Sequence, residues 1–237
     1  MSLPGRPSKN SRKSNALTKR AKGPEAGFPR FHKDNFYSIC DRLATIEPSF
    51  QTIIDTLGYP PVWTRANSFA TLVHIILEQQ VSLASAKAAF VKLKEKMGRI
   101  TPGRLLVLTD EELRACYFSR QKTMYVRELA EALLQKKILL HRYPGQHDDL
   151  IRQELTALKG IGHWTTDIYL LFALQRTDIF PVGDLAMINA LKEVKRLPAT
   201  VSREKILAMA ARWQPNRSVA TMLLWHYYIQ TRGIKVL

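Results

Sequence analysis

Two glycines separated by a single isoleucine impose the strongest constraint on this chain. They lie in residues 158–167, which read Leu-Lys-Gly-Ile-Gly-His-Trp-Thr-Thr-Asp. Glycine tolerates a positive φ and lets another backbone approach closely, so Gly160 and Gly162 favour a tight turn. Residues 149–158 carry apolar side chains at helical spacing, and residues 163–174 are apolar on nearly every face of a helix. The sequence therefore predicts a hairpin of two helices, the second of them buried.

The start of the second predicted helix is suited to bind an anion. Its first amides have no partner within the helix, and the helix dipole favours negative charge there. The chain is strongly basic, with 36 lysines and arginines against 20 acids and a net charge of +16. Residues 1–27 hold seven of these cations without periodicity, which predicts a flexible basic arm before a folded domain of residues 28–237. This arm is either a phosphate-binding segment or a solvated leader. In so basic a chain, a nucleic-acid phosphate is the expected anion.

Helical signals continue through the folded part. Apolar residues recur at helical spacing, and Pro215 introduces a last long helix. Residues suited to cap helix N-termini precede these stretches: Ser82, Thr101, Thr109, Ser119 and Ser202. No strand-like alternation persists, so the sequence predicts an all-α fold. At 237 residues and 46% hydrophobic composition, the chain can bury one sizeable core or two small lobes sharing a cleft.

Several classes of protein are excluded by composition. Cys40 and Cys116 are the only cysteines, too few for a four-cysteine zinc or iron–sulfur site. No apolar run approaches the ~20 residues of a membrane span, and the polar N-terminus lacks the apolar core of a secretory signal. A protein of a reducing compartment, neither secreted nor in a membrane, is expected.

Four motifs in order carry a family resemblance. They are Ile-Leu-Glu-Gln-Gln-Val-Ser at 76–82, the hairpin, Phe-Pro-Val-Gly-Asp at 180–184, and Trp-Gln-Pro-Asn-Arg-Ser at 213–218, which leads to Trp225. A hairpin alone also occurs in non-enzymatic DNA-binding modules. Together, over roughly residues 35–232, the motifs resemble the helix-hairpin-helix DNA glycosylases, and within them the 3-methyladenine DNA glycosylase II branch of alkylation repair.

The resemblance implies an architecture and an activity. Two helical lobes would flank a DNA-binding cleft. The enzyme would flip out and excise alkylated purines such as 3-methyladenine or 7-methylguanine in base excision repair, because a base inside the duplex is out of reach. Two alternatives stay open: a non-catalytic DNA-binding protein that uses the hairpin alone, and a glycosylase for deaminated or oxidised bases.

Asp184 admits two interpretations. Aspartate is among the best helix N-caps, and an apolar stretch follows it. Its neighbours are also apolar, so its charge would interact strongly with a cation formed nearby, such as a sugar with oxocarbenium character. By resemblance, Asp184 aligns with the catalytic aspartate of the superfamily.

The resemblance also assigns the residues around the damaged base. Trp164 stands where the bifunctional 8-oxoguanine branch has a lysine that forms a Schiff base. Tryptophan has no amine nucleophile, which predicts a monofunctional enzyme that leaves an abasic site. Trp225 aligns with a base-stacking tryptophan, or is an ordinary core aromatic. Trp164 and Tyr169 complete the predicted base pocket, although Ile168 occupies the position where the family has a further pocket aromatic and Tyr169 is its neighbour.

The predicted DNA contacts lie in the hairpin and in the loop at residues 79–82. Gln80 aligns with a wedge that fills the gap left by the extruded base. The adjacent pair Gln79 and Gln80 also suits a polar turn whose side-chain amides bond to nearby backbone. His163 either touches phosphate or is simply exposed. The full set of predicted DNA-contacting residues is Gln80, Ser82, Lys159, Gly160, Gly162, His163 and Thr165.

The resemblance further implies a monovalent cation, Na⁺ or K⁺, bridging the hairpin to a phosphate. The backbone carbonyls of Thr156, Leu158 and Ile161 would hold it. No cofactor is expected to be required, and the four-cysteine iron–sulfur loop of the endonuclease III branch is missing. The expected partner is double-stranded DNA containing damaged bases, bound by a monomer. The expected compartment is the cytoplasm and nucleoid in a bacterium, or the nucleus in a eukaryote.

Overall fold

The computed structural model describes residues 28–234, and the predicted basic arm at residues 1–27 lies outside them. In the described part, the regular structure is helical apart from an isolated bridge between Arg30 and Arg176. The helices are α1 (Lys33–Ile46), α2 (Pro48–Leu57), α3 (Phe69–Glu78), α4 (Leu83–Met97), α5 (Pro102–Leu106), α6 (Asp110–Ala115), α7 (Arg120–Leu134), a 3-10 turn (Leu140–Gly145), α8 (Asp148–Thr156), α9 (His163–Phe172), α10 (Leu185–Val194), α11 (Arg203–Ala211) and α12 (Arg217–Thr231). The predicted all-α fold is confirmed. None of these helices is both long and apolar enough to cross a membrane.

The helices begin where the capping residues predicted. The hydroxyl of Ser82 accepts a hydrogen bond from the Ser85 amide at the start of α4. Thr109 and Glu112 form a reciprocal capping box at α6, with bonds of 3.2 and 2.8 Å. Ser119 caps α7 in the same way as Ser82 caps α4. Each cap satisfies backbone donors that the helix itself leaves free, which is why these ends were readable from the sequence.

Apart from α11, the α-helices pack in two groups. One contains α1, α2, α10 and α12, and the other contains α3, α4, α7 and α9 together with the shorter α5, α6 and α8. α3 lies at the centre of the second group against α4, α7 and α9, while α12 lies against α1, α2 and α10. The segment between α9 and α10 therefore passes from one group to the other, and Asp184 ends it.

Candidate active site

Asp184 sits at the junction of the two helix groups and caps α10. The turn before it is closed by a bond from the Asp184 amide to the carbonyl of Pro181, 2.8 Å long. Its Oδ1 accepts the amide of Met187 at 2.8 Å. The N-cap interpretation is therefore confirmed as geometry. A cap fixes the carboxylate in place, which is compatible with a chemical role for its remaining lone pairs.

Two tryptophans from opposite groups donate to this carboxylate. Trp164 in α9 donates its indole N–H to Oδ2 at 2.9 Å, and Trp225 in α12 donates to Oδ1 at 2.9 Å. Oδ1 thus accepts two hydrogen bonds and Oδ2 accepts one. A carboxylate offers about four lone-pair sites, so one acceptor position on Oδ2 is left by the donors of the described residues. The three donors hold the carboxylate in one orientation.

A stack of side chains connects Trp225 to the end of α3. The ring of Phe172 lies on Trp225 with centroids 5.4 Å apart and an angle of 24° between the planes. The guanidinium of Arg65 covers Phe172 at 4.9 Å, and both of its terminal nitrogens donate to the carboxylate of Glu78. The Arg65 amide also donates to the Phe172 carbonyl at 2.9 Å. A continuous array thus connects the end of α3 to Asp184.

The sequence does not identify Arg65, Glu78 or Phe172 as part of the site. The only available signal was that Phe172 lies eight residues after Trp164, on the same face of α9. Trp225 is 8% exposed, and Phe172 covers one of its ring faces. Its role in stacking a base stays a prediction.

Tyr169 belongs to the core, which corrects its assignment to the base pocket. Its side chain is fully buried, its hydroxyl donates to Asn67, and its ring meets Tyr143 edge-on with centroids 6.1 Å apart. Burial raises the pKa of the Tyr169 phenol above its usual range. With both ring and hydroxyl engaged in the interior, no surface of Tyr169 is available to a flipped base.

The hairpin forms between α8 and α9, as its glycines predicted. Gly160 has a φ of +85°, and a Cβ there would overlap the ring of Tyr125 on α7. Gly162 is the N-cap residue of α9, and a Cβ there would meet nothing within 4 Å. Gly162 and His163 are exposed at the start of α9. Only the first glycine is therefore required by packing.

Other hairpin residues are already engaged within the protein. The Lys159 side chain is exposed, but its amide donates to Glu128 at 2.9 Å. Thr165 is 2% exposed and its hydroxyl accepts a hydrogen bond from Gln79, which corrects its assignment as a DNA contact. Thr156 ends α8, and the Leu158 carbonyl accepts the Ile161 amide at 3.1 Å.

A groove of about 470 Å³ connects the hairpin to the loop at residues 79–82 and to the start of α7. Gln80, at the tip of that loop, is exposed. Ser82, two residues later, is exposed as well, and its hydroxyl is engaged by the cap described above. The groove is lined in part by Gln80, Lys122 and Lys159. This face of the molecule is polar and open to a ligand.

Residues 73–215 match the family described as "HhH-GPD superfamily base excision DNA repair protein". The chain belongs to this superfamily. The matched HhH-GPD region includes the loop at 79–82, the hairpin and Asp184, whereas Arg65 and Trp225 lie outside it.

This protein is similar in sequence to DNA-3-methyladenine glycosylase 1 of Schizosaccharomyces pombe. It is 28% identical over 191 residues, which cover 77% of this chain and 83% of that protein. A putative DNA-3-methyladenine glycosylase of Bacillus subtilis, YfjP, is 25% identical, and the match covers 75% of this chain and 64% of the relative.

Solved structures show the same HhH-GPD fold. A DNA-3-methyladenine glycosidase from Bacillus halodurans superposes with a TM-score of 0.68 at 26% identity, covering 82% of this chain and 91% of that one. The S. pombe 3-methyladenine DNA glycosylase Mag1, in complex with abasic DNA, gives a TM-score of 0.75 at 24% identity. That match covers 84% of this chain and 100% of the other, and at this identity it establishes the fold alone.

Proposed function

We propose that this protein is a monofunctional DNA N-glycosylase that flips out and excises alkylated purines of the 3-methyladenine and 7-methylguanine type in base excision repair. The observation that carries the proposal is the Asp184 carboxylate, held at the junction of two helix groups by the N–H groups of Trp164 and Trp225. The names of the relatives, DNA-3-methyladenine glycosylases, support the substrate class.

The carboxylate is arranged for electrostatic catalysis. Departure of the base leaves oxocarbenium character on the deoxyribose, and a fixed negative charge nearby stabilises it. The three donors to Asp184 fix its direction before the reaction, so no reorganisation is needed when the cation forms. The remaining acceptor position on Oδ2 is available to orient or deprotonate the attacking water.

Trp164 supports a monofunctional reaction. Its side chain has no amine with which to form a Schiff base, and its N–H is used to hold Asp184. The expected product is an abasic site in an unbroken strand. Alkylated purines carry positive charge, so the ring of Trp225 would add cation–π attraction to ordinary stacking.

The hairpin is the proposed grip on double-stranded DNA containing the damaged base. Exposed Gly162 and His163 lie at the positively polarised start of α9. A monovalent cation held by the carbonyls of Thr156, Leu158 and Ile161 would add a second attachment to phosphate. We propose a monomeric enzyme of the nucleoid or the nucleus, according to the source.

Free-base release from methylated duplex DNA tests the proposal, with wild type compared with Asp184→Asn. Asparagine keeps the N-cap through Oδ1 but its Nδ2 cannot accept the bond from Trp164, so the fold and DNA binding should persist with a lower Tm. Release should fall by at least about 100-fold, as when one preorganised electrostatic group is removed. Asp55→Asn, which changes an exposed carboxylate on α2, should leave release unchanged.

The same assay separates the alternatives. A wild type that binds DNA but releases no base would be the non-catalytic protein. Release only from deaminated or oxidised duplexes would refute the substrate class. A strand nick that forms without added alkali would refute the monofunctional mechanism.

A further inference from the structure

The loop between α3 and α4 holds two adjacent glutamines in different conformations. Gln79, at the C-terminus of α3, has an ordinary φ of −61°. Gln80, at the tip, has a φ of +56°, a region that residues other than glycine rarely occupy. A left-handed residue of this kind persists only where the surrounding structure holds it. The contacts of the neighbouring residues show what positions this loop.

Gln79 ties the loop directly to the hairpin. Its side-chain amide donates one hydrogen bond to the Gly160 carbonyl at 2.8 Å and another to the Thr165 hydroxyl at 2.9 Å. Both N–H bonds of the amide are therefore used on residues more than 80 positions away in the chain. One acceptor belongs to the glycine turn and the other to the first turn of α9. The loop cannot shift relative to the hairpin without breaking both bonds.

α7 holds the same unit from the other side. Lys122 donates from Nζ to the Leu77 carbonyl at 2.7 Å, at the end of α3 just before the loop. The ring of Tyr125, one turn later on α7, fills the space that a side chain at Gly160 would need. The loop, the hairpin and the start of α7 thus form one rigid rim of the 470 Å³ groove.

We propose that Gln79 is a positioning residue that couples the hairpin's grip on the DNA backbone to extrusion of the damaged base by the loop carrying Gln80. This inference rests on the proposed function. Extruding a paired base costs a few kcal/mol, and it costs least when the base is unpaired. A loop that is fixed to the hairpin keeps its position against the duplex and can displace the base. A loop that is free to move would be displaced itself, and the base would stay paired.

The test compares the same lesion in two duplexes, one where it is paired and one where it lies opposite a base with which it forms no pair. Gln79→Met keeps the length of the side chain and removes both donors. Single-turnover release from the paired duplex should fall about 10-fold or more, the typical effect of two lost hydrogen bonds. Release from the unpaired duplex should fall less than about 2-fold, because little extrusion work remains.

Two further variants make the comparison specific. Thr165→Val removes one of the two acceptors and should give an intermediate loss with the same preference for the paired duplex. It also tests the coupling if Gln79→Met does not fold. Gln51→Met, which changes an exposed glutamine on α2, is the matched control and should behave as wild type on both duplexes.

Equal losses on the two duplexes would assign Gln79 a merely structural role and overturn the inference, as would unchanged rates on both. Wild type that releases no base from either duplex would instead refute the proposed function. The outcomes for the coupling and for the enzyme are therefore distinguishable in one experiment.

Discussion

Trp164→Phe removes one of the three donors to Asp184 and keeps an aromatic ring at that position. The indole N–H donates to a carboxylate, and hydrogen bonds to charged groups contribute about 1.5–3 kcal/mol. Trp164 is only half-buried, so water can replace part of the interaction, and we expect a loss near 1.5 kcal/mol. For a domain of this size, that loss lowers Tm by about 3–6 °C.

The same change should slow base release more than the loss of stability explains. Oδ1 keeps its bonds from Met187 and Trp225, so the carboxylate stays attached to α10. Oδ2 loses the one donor it has among residues 28–234 and is free to tilt away from the sugar. We expect about a 10-fold slower single-turnover release, equivalent to ~1.4 kcal/mol of lost transition-state stabilisation.

Ile53→Val is the control for stability. Ile53 is buried in α2 and makes no bond to Asp184. The change should cost about 1 kcal/mol, a stability loss comparable to that of Trp164→Phe. Both variants are assayed at a temperature where both are fully folded. Equal release by Trp164→Phe and wild type, or an equal slowing in Ile53→Val, would refute the claim that the indole orients the carboxylate.

Two more predictions concern the hairpin and α3. Gly160→Ala should lower Tm and weaken DNA binding, because it strains a φ of +85° and displaces Tyr125. Gly162→Ala should lower Tm much less, since its Cβ would meet nothing within 4 Å and only the weaker capping preference of alanine acts against it. Equal Tm values for the two variants would contradict this packing argument. Burial lowers the pKa of His74 below its usual value. The Glu78 carboxylate partly opposes this effect, and the positive charges of Arg65 and Lys87 lower the pKa further. Neutral His74 is therefore compatible with the folded state, and its contribution to stability is complete above the unfolded pKa of about 6.5. That contribution is lost as pH falls through the lower pKa of the folded state, because the buried imidazole must then be protonated. His74→Phe keeps the stack on Phe90 and has no group that titrates at this position. As pH falls from about 7.5 to about 5, the Tm of the variant should therefore rise relative to the Tm of wild type. A difference in Tm that stays constant over this range would refute this account.

Helix ends and the hairpin could be predicted because their causes are local. The cap at Asp184 joins its side chain to an amide three residues later, and Ser82 caps α4 over the same distance. Backbone donors at a helix start need partners whatever the fold, so the residue type and its position are sufficient information. The glycine turn is local in the same sense, since its conformation depends on the missing side chain.

Tyr169 and Phe172 show where periodicity was insufficient. They lie three residues apart on α9, a helix that is apolar nearly all round, so the sequence could not tell which face meets the core. The fold buries Tyr169 against Tyr143 and turns Phe172 toward Trp225. The choice between them was made by neighbouring helices.

The order of residues predicts an all-α chain, its caps, a glycine hairpin and one aspartate at the start of α10. Trp164 and Trp225 lie 20 and 41 residues from Asp184, and the packing of the helices brings both of their N–H groups to its carboxylate. It also decided that Gln79 faces the hairpin while its identical neighbour Gln80 faces outward. The physical reason is that local conformation depends on the residue type and a few neighbours, whereas a side chain's partners across the chain depend on how whole helices pack.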